Sequence, residues 1–152
     1  MKLDIILSGV GGQGILSIAA IIGEAALRKG LHVKQAEVHG MSQRGGDVQS
    51  NLRLSSAPIH SDLIPKGRAD AIISMEPMEA LRYLPYLSQE GWIVTNSAAF
   101  VNISNYPAQE SLLEVLRRQA RVILIDADAL AKENAMPRAV NMVLLGAASA
   151  IL

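Results

Sequence analysis

The sequence predicts an α/β fold, a three-layer α/β/α Rossmann-like sandwich around a mostly parallel, mixed sheet. Three observations predict it. An apolar run at residues 3–7 leads into Gly9-Val10-Gly11-Gly12-Gln13-Gly14 and then into an aliphatic stretch over 15–27. That order reads as strand, tight turn and helix. Residues 71–75, 93–95 and 122–125 are continuous apolar runs, the pattern of strands covered by helices on both faces. Half of the residues are hydrophobic but only 3% are aromatic, so the core is aliphatic. The four apolar runs are expected to be parallel, central and buried.

The elements follow in chain order. Residues 13–29 read as the first helix, with Ile15, Ile18, Ala19, Ile22 and Ala26 at helical spacing. Gly30 stands where a C-cap glycine belongs. Residues 32–37 form a second strand and complete a βαβ unit, whose right-handed crossover brings it close to the first strand. The polar stretch 38–46 then turns the chain back. Residues 47–54 alternate, with Val48, Leu52 and Leu54 on one face, so the second and third strands read as antiparallel neighbours.

Residues 55–68 are an irregular connection with an edge strand at Ile59-His60. After the strand at 71–75, Pro77 opens a short helix over 78–84. Residues 91–96 are a strand, 100–104 a small extra strand, and 108–119 an amphipathic helix. The strand at 122–125 precedes helices over 128–133 and 138–152. Asn141 is the polar residue near the core face of the last one. Residues 1–152 read as one domain. The uncapped apolar end, Ala147-Ala148-Ser149-Ala150-Ile151-Leu152, reads as a truncation or as an end covered by a partner.

Composition excludes several classes. Fourteen basic residues balance fourteen acidic ones, so no basic field for nucleic acid or membrane exists. Without cysteine, the chain supplies no disulfide, iron–sulfur or thiolate metal site. Three scattered histidines give no metal spacing. No apolar segment reaches the ~18 residues of a membrane span, and no signal pattern opens the chain. A cytoplasmic protein is expected.

Two stretches carry candidate chemistry. In the first, Gly9, Gly11, Gly12, Gln13 and Gly14 form a turn whose backbone admits close approach, ahead of helix amides that lack intrahelical partners. It binds an anion such as a phosphate, or its glycines only pack the helix tightly on the sheet. In the second, Ser42, Gln43 and Arg44 offer donors beside Gly45-Gly46. It holds a phosphate or carboxylate beside the first turn, with Arg44 bidentate, or it is a solvated connection. Glu37 lies near the place of the acidic ribose-binding residue of dinucleotide folds. His39 is an acid/base group or a structural histidine. Glu76, at a strand's carboxyl end, is a ligand group or a helix-terminal carboxylate.

With these stretches, the sequence resembles the gamma subunit or domain of 2-oxoacid:ferredoxin oxidoreductases. It is most like the beta subunits of the indolepyruvate type. The likeness rests on Gly9-Val10-Gly11-Gly12-Gln13-Gly14-Ile15, Met41-Ser42-Gln43-Arg44-Gly45-Gly46, Ser74-Met75-Glu76-Pro77 with Glu79-Ala80, and Asn141-Met142-Val143-Leu144-Leu145-Gly146. It covers nearly the whole chain, and the family continues beyond Gly146 with further helical residues.

The resemblance implies a non-thiamine subunit of an enzyme that oxidatively decarboxylates arylpyruvates to acyl-coenzyme A and reduces ferredoxin. Thiamine diphosphate, magnesium and iron–sulfur clusters belong to a larger partner subunit, and none is held by this chain alone. Coenzyme A, as substrate, meets Gly11, Gly12, Gln13, Ser42, Gln43 and Arg44 by the same implication. No catalytic residue and no metal ligand is expected here. Two other readings stand beside it. One is an independent NAD(P)-binding oxidoreductase using the glycine turn and Glu37. The other is a purely structural subunit without ligand.

Overall fold

The computed structural model describes residues 1–39, less the side chain of His39, and 45–152. Its elements are β1 (Lys2–Val10), α1 (Ile15–Arg28), β2 (His32–His39), β3 (Asp47–Ser55), β4 (Ala69–Ser74), α2 (Pro77–Arg82), a 3-10 turn (Leu84–Tyr86), β5 (Leu87–Asn96), α3 (Gln109–Arg117), β6 (Val122–Ile125), α4 (Ala127–Glu133) and α5 (Val140–Ala148). Six strands form one sheet in the order β2-β3-β1-β4-β5-β6. β1, β4, β5 and β6 are parallel. β3 runs antiparallel to both β1 and β2. The expected mixed α/β sandwich is therefore the fold.

Side chains alternate across the sheet, so each apolar run feeds two layers. Ile5, Leu7, Ala71, Ile73 and Val94 pack with Ile18, Ile22 and Leu144 of α1 and α5. Ile6 and Ile72 turn to the other face, with Ile64 and Tyr83. Ile93 shares that face with Ala80, Leu113 and Leu116, under α2 and α3. Full burial of one such aliphatic side chain contributes about 1.5–3 kcal/mol. α1 ends as its sequence suggests: Gly30 has φ +73°, and the amides of Gly30 and Leu31 donate to the carbonyls of Leu27 and Ala26. That is a Schellman closure, which glycine enters without Cβ strain.

Five expectations need correction. The run Val122–Ile125 is half-buried and lies at the sheet edge, not at its centre. Val122 and Leu124 pack toward one helical layer and Ile123 and Ile125 toward the other, so both faces are covered while one hydrogen-bonding edge is open. Next, β1 and β2 are not neighbours, because β3 lies between them. β3 buries Val48, Ser50, Asn51, Leu52 and Leu54. β2 carries Lys34, Gln35 and Glu37, a polar pattern suited to an edge. Residues 100–104 and Ile59-His60 form no strand. Pro58 lacks the N–H a ladder needs, and Asn102 turns its side chain onto the Gly45 carbonyl. Lastly, α5 is shorter than the expected 138–152 helix.

At the amino end of β1, Asp4 is 1% exposed and takes a bidentate pair from Arg53, Nε to Oδ1 at 2.8 Å and Nη2 to Oδ2 at 3.1 Å. Arg53 also donates to the carbonyls of Ser61 and Leu63 at 3.0 and 3.1 Å. This cluster fastens the 56–68 connection to the sheet. Burial alone would raise the Asp4 pKa, but the Arg53 and Lys2 cations outweigh it and hold the carboxyl below its ordinary 3.8. A depressed folded-state pKa stabilises the fold above the unfolded value, and the contribution is lost as pH falls through the folded one. We therefore expect Asp4→Asn to lose about 3 kcal/mol in urea unfolding at neutral pH. The difference from wild type should shrink as pH is taken below 3.8.

Candidate functional site

The carboxyl ends of β1, β4 and β5 open at one end of the sheet, where ligands bind in open α/β folds. There the chain forms a cavity of about 410 Å³, within the range of small-molecule sites. Gly12, Gln13 and Gly14 line it, with Met75, Asn96, Phe100, Asp128, Pro137, Arg138, Val140 and Asn141. The wall is thus assembled from the glycine turn, the ends of β4 and β5, the 97–108 strap, α4 and the entry to α5.

The predicted site residues divide. Gly12 and Gly14 have φ of +99° and +80°, so both occupy backbone space that favours glycine. Gln13 lines the cavity, but its Oε1 accepts the Val10 N–H at 2.7 Å and its own N–H donates to the Val10 carbonyl at 3.1 Å. It staples the turn. Gly9 packs instead of lining: a Cβ there would stand 3.0 Å from Gln13 Oε1 and 3.2 Å from Met75 Cβ. Gly11 donates its N–H to the Gly46 carbonyl at 2.8 Å. That bond places the described end of the second loop against the glycine turn. Ser42, Gln43 and Arg44 lie outside the described residues, as does the His39 side chain.

Glu37 accepts from Gln35 Nε2 at 2.7 Å on the outermost strand. Glu76 is wholly buried and does not line the cavity. Its Oε2 accepts the Glu79 N–H at 2.9 Å and caps α2, the helix-terminal role that its position before Pro77 allowed.

Sequence reasoning missed Asn96, Asp128, Arg138 and Phe100. Asn96 is 2% exposed. Its Nδ2 donates to Asp128 Oδ2 at 2.7 Å and to the Met75 carbonyl at 3.4 Å. Its Oδ1 accepts the Ala127 N–H at 3.0 Å and the Ala98 N–H at 3.4 Å. One amide thus joins β4, β5 and α4. The available signal was a polar residue closing an apolar strand at its carboxyl end. Asn141, noticed as a polar residue on an apolar helix, donates Nδ2 to the Gly14 carbonyl at 3.2 Å. It ties α5 to the glycine turn. Among the described residues the cavity wall offers one cation, Arg138, and one carboxylate, Asp128. Among the described residues, no group of three His, Cys, Asp or Glu side chains is placed to hold a metal ion. Among them, too, no helix is long and apolar enough to cross a membrane.

Comparison with known proteins decides the family. Residues 4–152 match the family described as pyruvate ferredoxin/flavodoxin oxidoreductase. The chain belongs to that family. The indolepyruvate oxidoreductase subunit IorB of Methanothermobacter thermautotrophicus is 37% identical over 157 residues, covering 99% of this chain and 79% of that protein. A solved keto/oxoacid ferredoxin oxidoreductase gamma subunit from Geobacter sulfurreducens superposes with a TM-score of 0.68 at 24% identity, over 98% of this chain and 76% of that one. The 2-oxoglutarate:ferredoxin oxidoreductase of Magnetococcus marinus, solved with 2-oxoglutarate, coenzyme A and succinyl-CoA, gives 0.74 at 23% identity, over 97% of this chain and 24% of that one. These two structures share the fold. The resemblance read from the motifs is borne out, and this family member is a subunit of a 2-oxoacid ferredoxin oxidoreductase.

The glycine turn is not uniformly tolerant of side chains. A Cβ on Gly14 would stand 2.6 Å from Asn141 Nδ2, whereas one on Gly12 would meet nothing within 4 Å. Gly12→Ala should cost about 1–2 kcal/mol from backbone conformation alone. Gly14→Ala should cost about 1 kcal/mol more, from the displaced Asn141 hydrogen bond. Urea unfolding of both variants, alone and with Asn141→Ala, checks this. The second change should bring the two glycine variants to equal additional losses.

Proposed function

We propose that the chain is the non-thiamine subunit of an indolepyruvate-type ferredoxin oxidoreductase, which oxidatively decarboxylates arylpyruvates to acyl-coenzyme A. The observation that carries this is 37–38% identity to indolepyruvate oxidoreductase subunits across nearly the whole chain. Thiamine diphosphate, magnesium and the iron–sulfur clusters then sit on a larger partner, and ferredoxin is reduced through the complex. A chain without cysteine fits that division, since clusters are held by thiolates. The substrate's aryl group is selected on the partner, in the cytoplasm. Residues 1–152 act as one gamma-type domain that supplies an assembly surface and an anion pocket.

The pocket reading rests on chemistry at the cavity mouth. A helix N-terminus offers amides without i−4 acceptors, and Gly12, Gln13 and Gly14, just ahead of α1, line the cavity, while the Ser17 N–H is already given to the Gly14 carbonyl at 3.2 Å. Arg138 faces the same space. A phosphate of coenzyme A suits such a donor set. Ser42, Gln43 and Arg44 belong to the loop whose far end, Gly46, is bonded to Gly11, and they complete the proposed pocket.

Reconstitution with the larger subunit tests the reading. The chain alone should show no arylpyruvate turnover with ferredoxin as acceptor, and turnover by the chain alone would sink the subunit assignment. In the complex, Arg44→Ala should raise the coenzyme A KM roughly ten- to a hundredfold, the worth of one charge-assisted hydrogen bond. Arg44→Lys should recover part of it, because an ammonium does not bind bidentately. If both the KM and subunit association stay unchanged with folding intact, the subunit is structural and the pocket proposal fails.

A further inference from the structure

Among the described residues Glu76 is the most deeply buried carboxyl group, and its second oxygen is used away from its own helix. Oε1 accepts the Phe100 N–H at 3.3 Å and the Tyr106 O–H in a short hydrogen bond. Both donors belong to the strap at 97–108 that links β5 to α3. Between residues 100 and 108, Tyr106 alone is half-buried, and the rest are exposed. Beyond the half-buried residues 97–99 the strap has little burial to fix it, and the attachments described for that part are polar. Its base closes through Gln109 Nε2 to the Ser97 carbonyl at 2.8 Å. Its tip reaches the glycine loop at Gly45-Gly46, just before β3, through Asn102 Nδ2 to the Gly45 carbonyl at 2.7 Å. Phe100, whose own N–H is one of Glu76's two donors, forms a wall of the cavity.

We infer that Glu76 is a positioning residue for the cavity, acting through Tyr106 and the Phe100 amide to hold the strap so that Phe100 walls the pocket and Asn102 meets the glycine loop. The consequence for a ligand rests on the anion-pocket reading above; the anchoring itself does not. A buried carboxyl group suits this role, because an acceptor closed to water gains fully from each donor it keeps. Burial, and then Glu76 beside it, hold the Tyr106 phenol above its ordinary range, so it remains a donor at any physiological pH. Tyr106 and Glu76 stand 30 positions apart, on opposite sides of β5, so the bond is tertiary and does not follow from local turn chemistry.

Glu76→Gln would also disturb the α2 cap, so the decisive variant is Tyr106→Phe, which removes one hydroxyl. In the reconstituted complex, hydrogen-exchange mass spectrometry should show peptides covering 97–108 exchanging about tenfold faster, with β1 and β4 peptides unchanged. Strap exchange equal to wild type overturns the inference. Coenzyme A kinetics supply the second arm: the KM should rise about tenfold while kcat at saturation holds within about twofold, a split that general destabilisation does not produce. Arg44→Ala separates the two ideas. If it raises the KM and Tyr106→Phe does not, the strap does not shape the pocket and the inference fails. If neither variant moves the KM, the coenzyme A reading fails, and faster strap exchange still upholds Glu76 as the anchor.

Discussion

Ile6, Ile72 and Ile93 stand side by side across β1, β4 and β5, wholly closed to water. Their neighbours in sequence point to the opposite face and are equally apolar. Such strands require cover on both sides. Parallel strands also cannot be joined by tight hairpins, so each connection must travel back across a face, usually as a helix. The two requirements have one solution here: α1 and α5 over one face, α2 and α3 over the other. The same solution gathers the outgoing ends of β1, β4 and β5 at one end of the sheet. The cavity's location follows from how the apolar runs must be covered.

What closes that end is polar. Every buried side-chain nitrogen and oxygen among the described residues has a hydrogen-bond partner, as the cost of an unpaired buried polar group demands. Asn96 and Glu76 carry the most consequential of these bonds, because each joins an irregular junction to the ends of the sheet strands. Asn96 fastens the start of α4 to the end of β5, and Glu76 fastens the strap. A two-headed amide suits the first place, where both donors and acceptors converge. A side chain with two acceptor oxygens suits the second, where three donors arrive. The apolar core thus sets where the elements lie, and a few buried polar side chains set how the irregular segments between them meet.

These two kinds of information were unequally legible. Apolar runs and helical spacing are repeated signals, and β1, β4, β5, α1 and α3 were found from them. A run such as Val122-Ile123-Leu124-Ile125 reports cover on two faces and says nothing about neighbours on two edges, so its edge position was invisible. The order of β2 and β3 depended on which strand tolerated exposure, a comparison of Lys34, Gln35 and Glu37 with the buried Ser50 and Asn51. Short polar residues like those last two look solvent-facing in sequence, yet Asn51 Oδ1 accepts the Ile64 N–H at 3.1 Å. Asn96 and Asp128 escaped for a related reason: their partners lie in other elements, and no spacing within the chain marks them.

The position of β3 also decides between two uses of a glycine turn. In dinucleotide-binding folds the strand after the first helix lies beside the first strand, and an acidic residue at its end reaches the ribose of a ligand seated on the turn. Here β3 is inserted between β1 and β2. At about 4.8 Å per strand, Glu37 is carried roughly 10 Å from the strand that bears the turn. The space it would have governed is occupied by the β3 end, where Gly46 accepts from Gly11. The other side of the turn is walled by Asn141 and Asn96 instead. The Gly-x-Gly-x-x-Gly spacing is therefore common to both folds because it builds a tight strand-to-helix turn. The identity of the ligand is governed by whichever elements the topology brings against that turn, and among the described residues those are α5, the strap and Gly46 at the start of β3.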